Sequence, residues 1–333
     1  MDGGAIAIAA LVLGGLGLVF GGVLALVSKA FSVPQDPLFD SVREALPGAN
    51  CGGCGFSGCD AYARAVAEGK AGVSQCPVGG AEVAGRIAAV MGVDAEKMER
   101  KAAVVMCRGG QEKCRIRFSY DGPRSCRSAA LAGDGDKACR YSCLGWGDCE
   151  RACPFGAIHV NEERLAVVHE NACRGCGVCV DVCPRGVLRL MPVEHAVHRM
   201  CSAMERGKVV RENCSAGCLG CGKCERSCKF GALKLVSQLP EIDLEKCVGC
   251  MCCADNCPTG ALQANEALRR HALIRYGDCT GCGACAAACQ FGAIVGGAGQ
   301  PHSVVEWNCV GCGACAAACP QDCVQMVYNT KSI

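Results

Sequence analysis

The sequence predicts an α+β protein, with one membrane-spanning helix at the N-terminus and a string of small cysteine-held domains behind it. Three observations predict this. The chain has 35 cysteines in 333 residues, while aromatic residues make up only 5%. Residues Gly3 to Ser28 carry no charge. One four-cysteine spacing recurs along the C-terminal two thirds of the chain. So few aromatics leave little for a conventional core, and domains this rich in cysteine are stapled by disulfides or metals. The net charge of +2 gives no reason to expect a nucleic-acid partner.

The first element, residues 1–29, reads as an anchor. Its uncharged run exceeds the roughly 20 residues that a helix needs to cross a bilayer. A secretory signal would begin with basic residues, and here only Asp2 precedes the run. Lys29 is the first basic residue and lies on the C-terminal side, which predicts an outside N-terminus and cytoplasmic domains. Gly17 and Gly21 form a GxxxG pair. Two readings stand for it: a packing face for another membrane helix, or incidental glycines in a plain anchor. Thiols in the cytoplasm stay reduced, so the cysteines are expected to hold metal.

The second element, 34–93, contains Cys51, Cys54, Cys59 and Cys76, three of them in the loop "CGGCGFSGC". Small residues let the backbone close around a metal cluster and point its N–H groups at the sulfurs. Cys59 opens a predicted helix over 60–68, whose N-terminus favours an anionic group.

The remaining elements repeat C-x2-C-x2-C-x3-C five times. The runs are Cys173, Cys176, Cys179 and Cys183; Cys218, Cys221, Cys224 and Cys228; Cys247, Cys250, Cys253 and Cys257; Cys279, Cys282, Cys285 and Cys289; and Cys309, Cys312, Cys315 and Cys319. A sixth run, Cys139, Cys143, Cys149 and Cys153, is variant: Trp146 stands at its usual second cysteine. This is the spacing of bacterial two-cluster ferredoxins, in which the fourth cysteine ligates the other cluster of a pair. Intervals of 29 or 30 residues separate Cys153 from Cys183, Cys228 from Cys257 and Cys289 from Cys319. Short apolar segments, such as "AIHV" and "LAVVH" around "NEER", predict a hairpin between paired runs. The chain therefore carries three tandem ferredoxin modules, at 100–192, 198–265 and 270–333. Structural zinc sites use two cysteine pairs separated by a dozen or more residues, which is not this form.

Seven 4Fe-4S clusters account for 28 cysteines. Cys107, Cys114, Cys126, Cys201, Cys214, Cys252 and Cys323 are left over. The spacing Cys126-x12-Cys139-x3-Cys143 matches Cys201-x12-Cys214-x3-Cys218. These spare cysteines either complete an eighth cluster or pack as buried thiols, and Cys214 is an alternative ligand to Cys218. Seven oxidised four-iron clusters add about −14, which turns the nominal +2 into about −12. The basic excess between Lys97 and Arg140 is then counter-charge for the clusters, or a docking face for an acidic donor. No dinucleotide fingerprint is visible, and the anchor has no ionisable residue to make an ion path.

An uncharged helix, then "CGGCGFSGC…CP", then ferredoxin runs including "CLGWGDCERACPFGAI" resembles the B component of the Rnf complex. That complex is the ion-translocating ferredoxin–NAD oxidoreductase of bacteria and some archaea. The resemblance covers nearly the whole chain. It implies an electron-relay subunit at the inner membrane, single-pass, with the other membrane subunits and soluble ferredoxin as partners. Electrons would pass from ferredoxin to flavin subunits and NAD, coupled to Na⁺ or H⁺ transport. Two departures stand out. Short members have one ferredoxin pair where this chain has three, and Lys229 and Gln290 replace the proline that follows the fourth cysteine elsewhere. The competing readings are a membrane-anchored polyferredoxin of a hydrogenase or dehydrogenase that pumps no ions, and a structural zinc protein.

Overall fold

The computed structural model describes residues 3–30 and 36–328; within the first helix, side-chain surroundings are described for 11–27. Asp2, and residues 329–333 of the third predicted module, lie outside the described residues. Helix α1, Gly3–Ala30, runs 28 residues. Its side chains over 11–27 are all exposed, and a Cβ added at Gly14, Gly15, Gly17, Gly21 or Gly22 would meet nothing within 4 Å beyond the helix's own backbone. Among the described residues, no helix is long and apolar enough to cross a membrane.

The next unit is helical: α2 (Pro37–Ala45), α3 (Cys59–Ala67) and α4 (Gly80–Met91). Asp36 caps α2 by accepting from the Leu38 N–H at 2.9 Å, and Pro37 supplies the preset first turn. Their inner faces meet through Val42, Tyr62, Val66 and Ile87, all 1% exposed or less. The Tyr62 hydroxyl donates to the Gly72 oxygen at 2.8 Å, which satisfies a buried polar tip.

Three units of one design follow. The first runs from β1 (Lys101–Val105) through α5 (Cys126–Leu131), α6 (Asp148–Ala152), β2 (Ile158–Val160), β3 (Ala166–Val168) and α7 (Val178–Val182) to β4 (Leu188–Pro192). The second comprises β5 (Val197–Arg199), α8 (Gly207–Asn213), α9 (Lys223–Ser227), β6 (Leu233–Val236), β7 (Leu239–Ile242), α10 (Cys252–Asp255) and β8 (Leu262–Ala264). The third comprises β9 (Arg270–Ile274), α11 (Ala284–Ala288), β10 (Ile294–Val295), β11 (Ser303–Val304), α12 (Ala314–Ala317) and β12 (Val324–Tyr328). In each, the first strand pairs antiparallel with the last: Lys101 with Pro192, Val197 with Ala264, Arg270 with Tyr328. In each, the middle strands form a hairpin. The first of these hairpins is the one expected around "NEER".

Helices α6, α7, α9, α10, α11 and α12 have only four or five residues. Helices this short do not stand alone in water. Each carries a buried cysteine, respectively Cys149, Cys179, Cys224, Cys253, Cys285 and Cys315. The cores around them are small: Ala157, Ile158, Val187 and Leu188 in the first unit, and Ala272, Ile294 and Val324 in the third. What holds these domains must sit where the cysteines converge.

Candidate metal centres

The cysteines converge on cavities. Cys218, Cys221, Cys224 and Cys257 line one of about 350 Å³. Cys228, Cys247, Cys250 and Cys253 line another of about 330 Å³, and Cys289, Cys309, Cys312 and Cys315 a third of about 320 Å³. In every case three thiols of one run meet the fourth thiol of its partner run, the crossed arrangement of two-cluster ferredoxins. The Cys179 thiol likewise has Cys153, Cys173 and Cys176 as near neighbours. Cys285 has Cys279 and Cys319 beside it. In the N-terminal unit, Cys54, Cys59 and Cys76 share one core.

The backbone is bent to fit. Gly175 sits at φ +65°, and a Cβ there would lie 2.5 Å from the Lys101 oxygen. Only glycine lets the Cys173–Cys176 loop pack this closely on β1. Amides then point at sulfur: Ala103 N–H to Cys173 Sγ at 3.4 Å, Ala157 to Cys153 at 3.3 Å, Ala293 to Cys289 at 3.3 Å and Ala272 to Cys309 at 3.5 Å. The same strand position serves the same cysteine in different modules. Such bonds stabilise thiolate charge and raise the potential of an iron–sulfur centre.

Burial pushes the Cys149, Cys179 and Cys253 thiols up to about 12, and neighbouring thiols push the same way. Without a cation they keep their protons at neutral pH. Iron bound by these thiols would supply that cation and displace the protons. Four thiolates on one zinc ion would draw their sulfurs to about 2.3 Å from a single point. Among the described residues, no group of three or more His, Cys, Asp or Glu converges in that way. The thiols surround a volume, as a four-iron cluster requires, so the residues present fit that group.

The first unit departs from the expected run. Its cavity, about 330 Å³, is lined by Cys126, Cys143, Cys149 and Cys183. Cys139 does not reach it and lines a separate cavity with Cys107, Cys201 and Cys214. Trp146 occupies the place of the usual second cysteine, with the Arg164 guanidinium 4.0 Å from its ring centre. Helix α5 brings Cys126 into the gap. Asp148 ties that helix down, accepting from the Ser125 hydroxyl at 3.1 Å and the Arg127 N–H at 3.0 Å. The signal was present as the Cys126-x12-Cys139 repeat, but spacing alone does not tell which of the two fills the gap.

Comparison with known proteins matches this architecture. An Fe-S cluster family model covers 46–78, and 4Fe-4S dicluster models cover 138–187, 172–232, 217–261, 246–293 and 272–326. The chain is 43% identical to the B component of the Na(+)-translocating ferredoxin:NAD(+) oxidoreductase complex of Acetobacterium woodii, over 71% of each chain. It is also 43% identical to the B component of the ion-translocating oxidoreductase complex of Methanosarcina acetivorans, over 71% of this chain and 89% of that one.

The chain belongs to the family of Rnf B components.

A third relative in that family, the B component of the proton-translocating ferredoxin:NAD(+) oxidoreductase complex of Clostridium ljungdahlii, is 42% identical over 68% of this chain and 81% of its own. A chain of the formate dehydrogenase–heterodisulfide reductase–formylmethanofuran dehydrogenase complex of Methanospirillum hungatei aligns over 57% of this chain and 79% of its own, at 22% identity and a TM-score of 0.25. The Rnf B component is one part of a multi-subunit complex. With its tandem 4Fe-4S domains, this chain is an electron-relay subunit of an ion-translocating oxidoreductase.

Proposed function

We propose that the chain carries electrons between reduced ferredoxin and the flavin-bearing membrane subunits of its complex, for onward reduction of NAD coupled to Na⁺ or H⁺ transport. Seven 4Fe-4S clusters, one in the domain at 34–93 and two in each ferredoxin module, supply the one-electron centres when bound. The protein's part is to hold the thiolates and keep water away from them. It also aims N–H groups at the sulfurs and fixes one site beside the next.

The observation that carries this reading is that the thiol sets stand side by side along the chain. A Cβ on Gly53 would lie 2.6 Å from the Cys176 oxygen, so the N-terminal loop rests on the first module at its Cys173–Cys179 run. Lys229, beside Cys228, bonds to the Gln290 oxygen beside Cys289, which joins the second module to the third. On the third module Trp307 is 88% exposed and Tyr276 68% exposed. Exposed aromatics suit a transient protein contact, and this end is the proposed ferredoxin entry. Electrons then leave through Cys51, Cys54, Cys59 and Cys76. Helix α1, uncharged from Gly3 to Ser28 and exposed over 11–27, is the proposed anchor beside that exit.

The test is anaerobic purification of the intact complex with iron counting and a ferredoxin:NAD assay. The account expects about 28 or more irons on this subunit and NAD reduction that depends on it. A colourless, zinc-loaded subunit, or full ferredoxin:NAD activity in a complex lacking it, would overturn the proposal.

A further inference from the structure

The cavity lined by Cys107, Cys139, Cys201 and Cys214 belongs to no ferredoxin run. It is of the same order of size as the cavities lined by the runs. It lies at the seam of the first two modules. Cys107 follows β1 and Cys201 follows β5, the same place in each module. The seam is stitched by the Ser202 hydroxyl donating to the Met106 oxygen at 3.1 Å. The Arg115 and Ser215 amides add bonds to the Asn213 and Lys113 oxygens, both at 2.9 Å.

We propose that Cys107, Cys139, Cys201 and Cys214 hold an eighth 4Fe-4S cluster, bridging the first two modules. This deepens the relay reading and rests on it. Three observations carry the assignment.

The thiols are already set as acceptors. Cys107 Sγ receives the Gly109 N–H at 3.3 Å and the Cys143 N–H at 3.4 Å, and Cys201 Sγ receives the Cys218 N–H at 3.3 Å. Cys143 lines the neighbouring cavity of the first module and Cys218 that of the second. The seam site is thus hydrogen-bonded to a thiol-bearing residue on either side.

A buried cation waits beside it. Lys137 is 1% exposed, and its ammonium donates to the Gly109 oxygen at 2.9 Å and the Arg164 oxygen at 3.0 Å. It makes no salt bridge among the described residues. Asp136, next to it, is already engaged by Arg164 at 2.6 Å. A buried ammonium without an anionic neighbour is strongly unfavourable. Four thiols packed merely as small apolar groups would not relieve it. When four Fe–S bonds form, the four thiols release four protons, and an oxidised cluster leaves a site of about −2 next to Lys137.

The fifth cysteine at the seam stands behind Cys214. Cys114, 1% exposed, pairs with Cys214 through the backbone, and its thiol hydrogen-bonds with the Cys214 thiol. It does not line the cavity.

The test is native mass spectrometry and iron counting on the full-length chain, isolated anaerobically from its complex. The wild-type chain should carry eight cluster masses and about 32 irons. Cys201→Ala and Cys214→Ala should each lose one cluster and about four irons, and remove one signal from the reduced EPR spectrum. Cys114→Ala should lose none. Seven cluster masses in the wild-type chain would overturn the proposal whatever the variants do. So would unchanged iron in both Cys201→Ala and Cys214→Ala. Failure of the relay reading itself looks different, since the wild-type count would then fall well below about 28.

Discussion

The Lys229 ammonium donates to the Gln290 main-chain oxygen at 2.8 Å and sits 4.1 Å from the centre of the Phe291 ring. Lys229 and Gln290 follow Cys228 and Cys289, the two fourth cysteines not succeeded by proline. The two departures from the common run therefore face each other across the joint of the second and third modules. Phe230 and Phe291, one position further on, stack with ring centres 6.4 Å apart. A proline at 229 would lack the long side chain that reaches across.

Lys229 has a second effect, on the site beside it. A positive charge next to Cys228 favours the more negative, reduced state of the centre held by Cys228, Cys247, Cys250 and Cys253. Lys229→Pro and Lys229→Met should both lower one potential in an EPR-monitored redox titration. They should also weaken the module joint by about 1 kcal/mol, the scale of one surface hydrogen bond with a cation–π contact. An unchanged or raised potential in both variants would count against the electrostatic role.

Cys126 and Cys139 give opposite predictions in the first module. Cys126→Ala should cost about four irons and leave Cys143, Cys149 and Cys183 without a fourth ligand. Trp146→Cys in that background should restore the iron, because it returns a cysteine to the usual second position. Cys139→Ala should leave this centre intact. Retention of all iron in Cys126→Ala would show that another group completes the set.

Gly53 is the narrow point between the N-terminal domain and the first module. Gly53→Val should force the two apart, since even a Cβ would lie 2.6 Å from the Cys176 oxygen. Iron content should hold, while rapid-mixing kinetics should show slower reduction of the N-terminal centre. An unchanged rate would mean that electrons do not cross there.

Cluster assembly should release protons. The Cys149, Cys179 and Cys253 thiols, raised to about 12 mainly by burial, remain protonated at pH 8 in the metal-free chain. Anaerobic reconstitution at pH 8 from equal ferrous and ferric iron with hydrosulfide should therefore release about eight protons per cluster into weakly buffered solution, about four from the thiols and about four from the hydrosulfide. About four per cluster or fewer would show that the thiols are ionised before iron arrives.

The sequence disclosed the parts that repeat. Runs ending at Cys183, Cys257 and Cys319 mark the modules, and the 29- or 30-residue intervals announce crossed pairing, because a ferredoxin module is two copies of one local spacing. Cys126 was harder. It enters the first site from the insertion between β1 and α6, whose path has no periodicity to read. The seam site was harder still, because Cys107 and Cys214 lie far apart in sequence and meet only when two modules dock. Lys137 looked like one more residue in a basic stretch. Its burial comes from within the first module, where the Gly109 and Arg164 oxygens enclose its ammonium.

The most direct test of the central claim is anaerobic stopped-flow mixing of the full-length chain, isolated in detergent, with reduced ferredoxin. The account predicts that the brown chain bleaches by several electrons per molecule. It predicts that a Cys54→Ala chain still bleaches, yet fails to restore ferredoxin-dependent NAD reduction when returned to its complex. A fully loaded wild-type chain that takes no electrons from ferredoxin, or a Cys54→Ala chain that restores full activity, would contradict it.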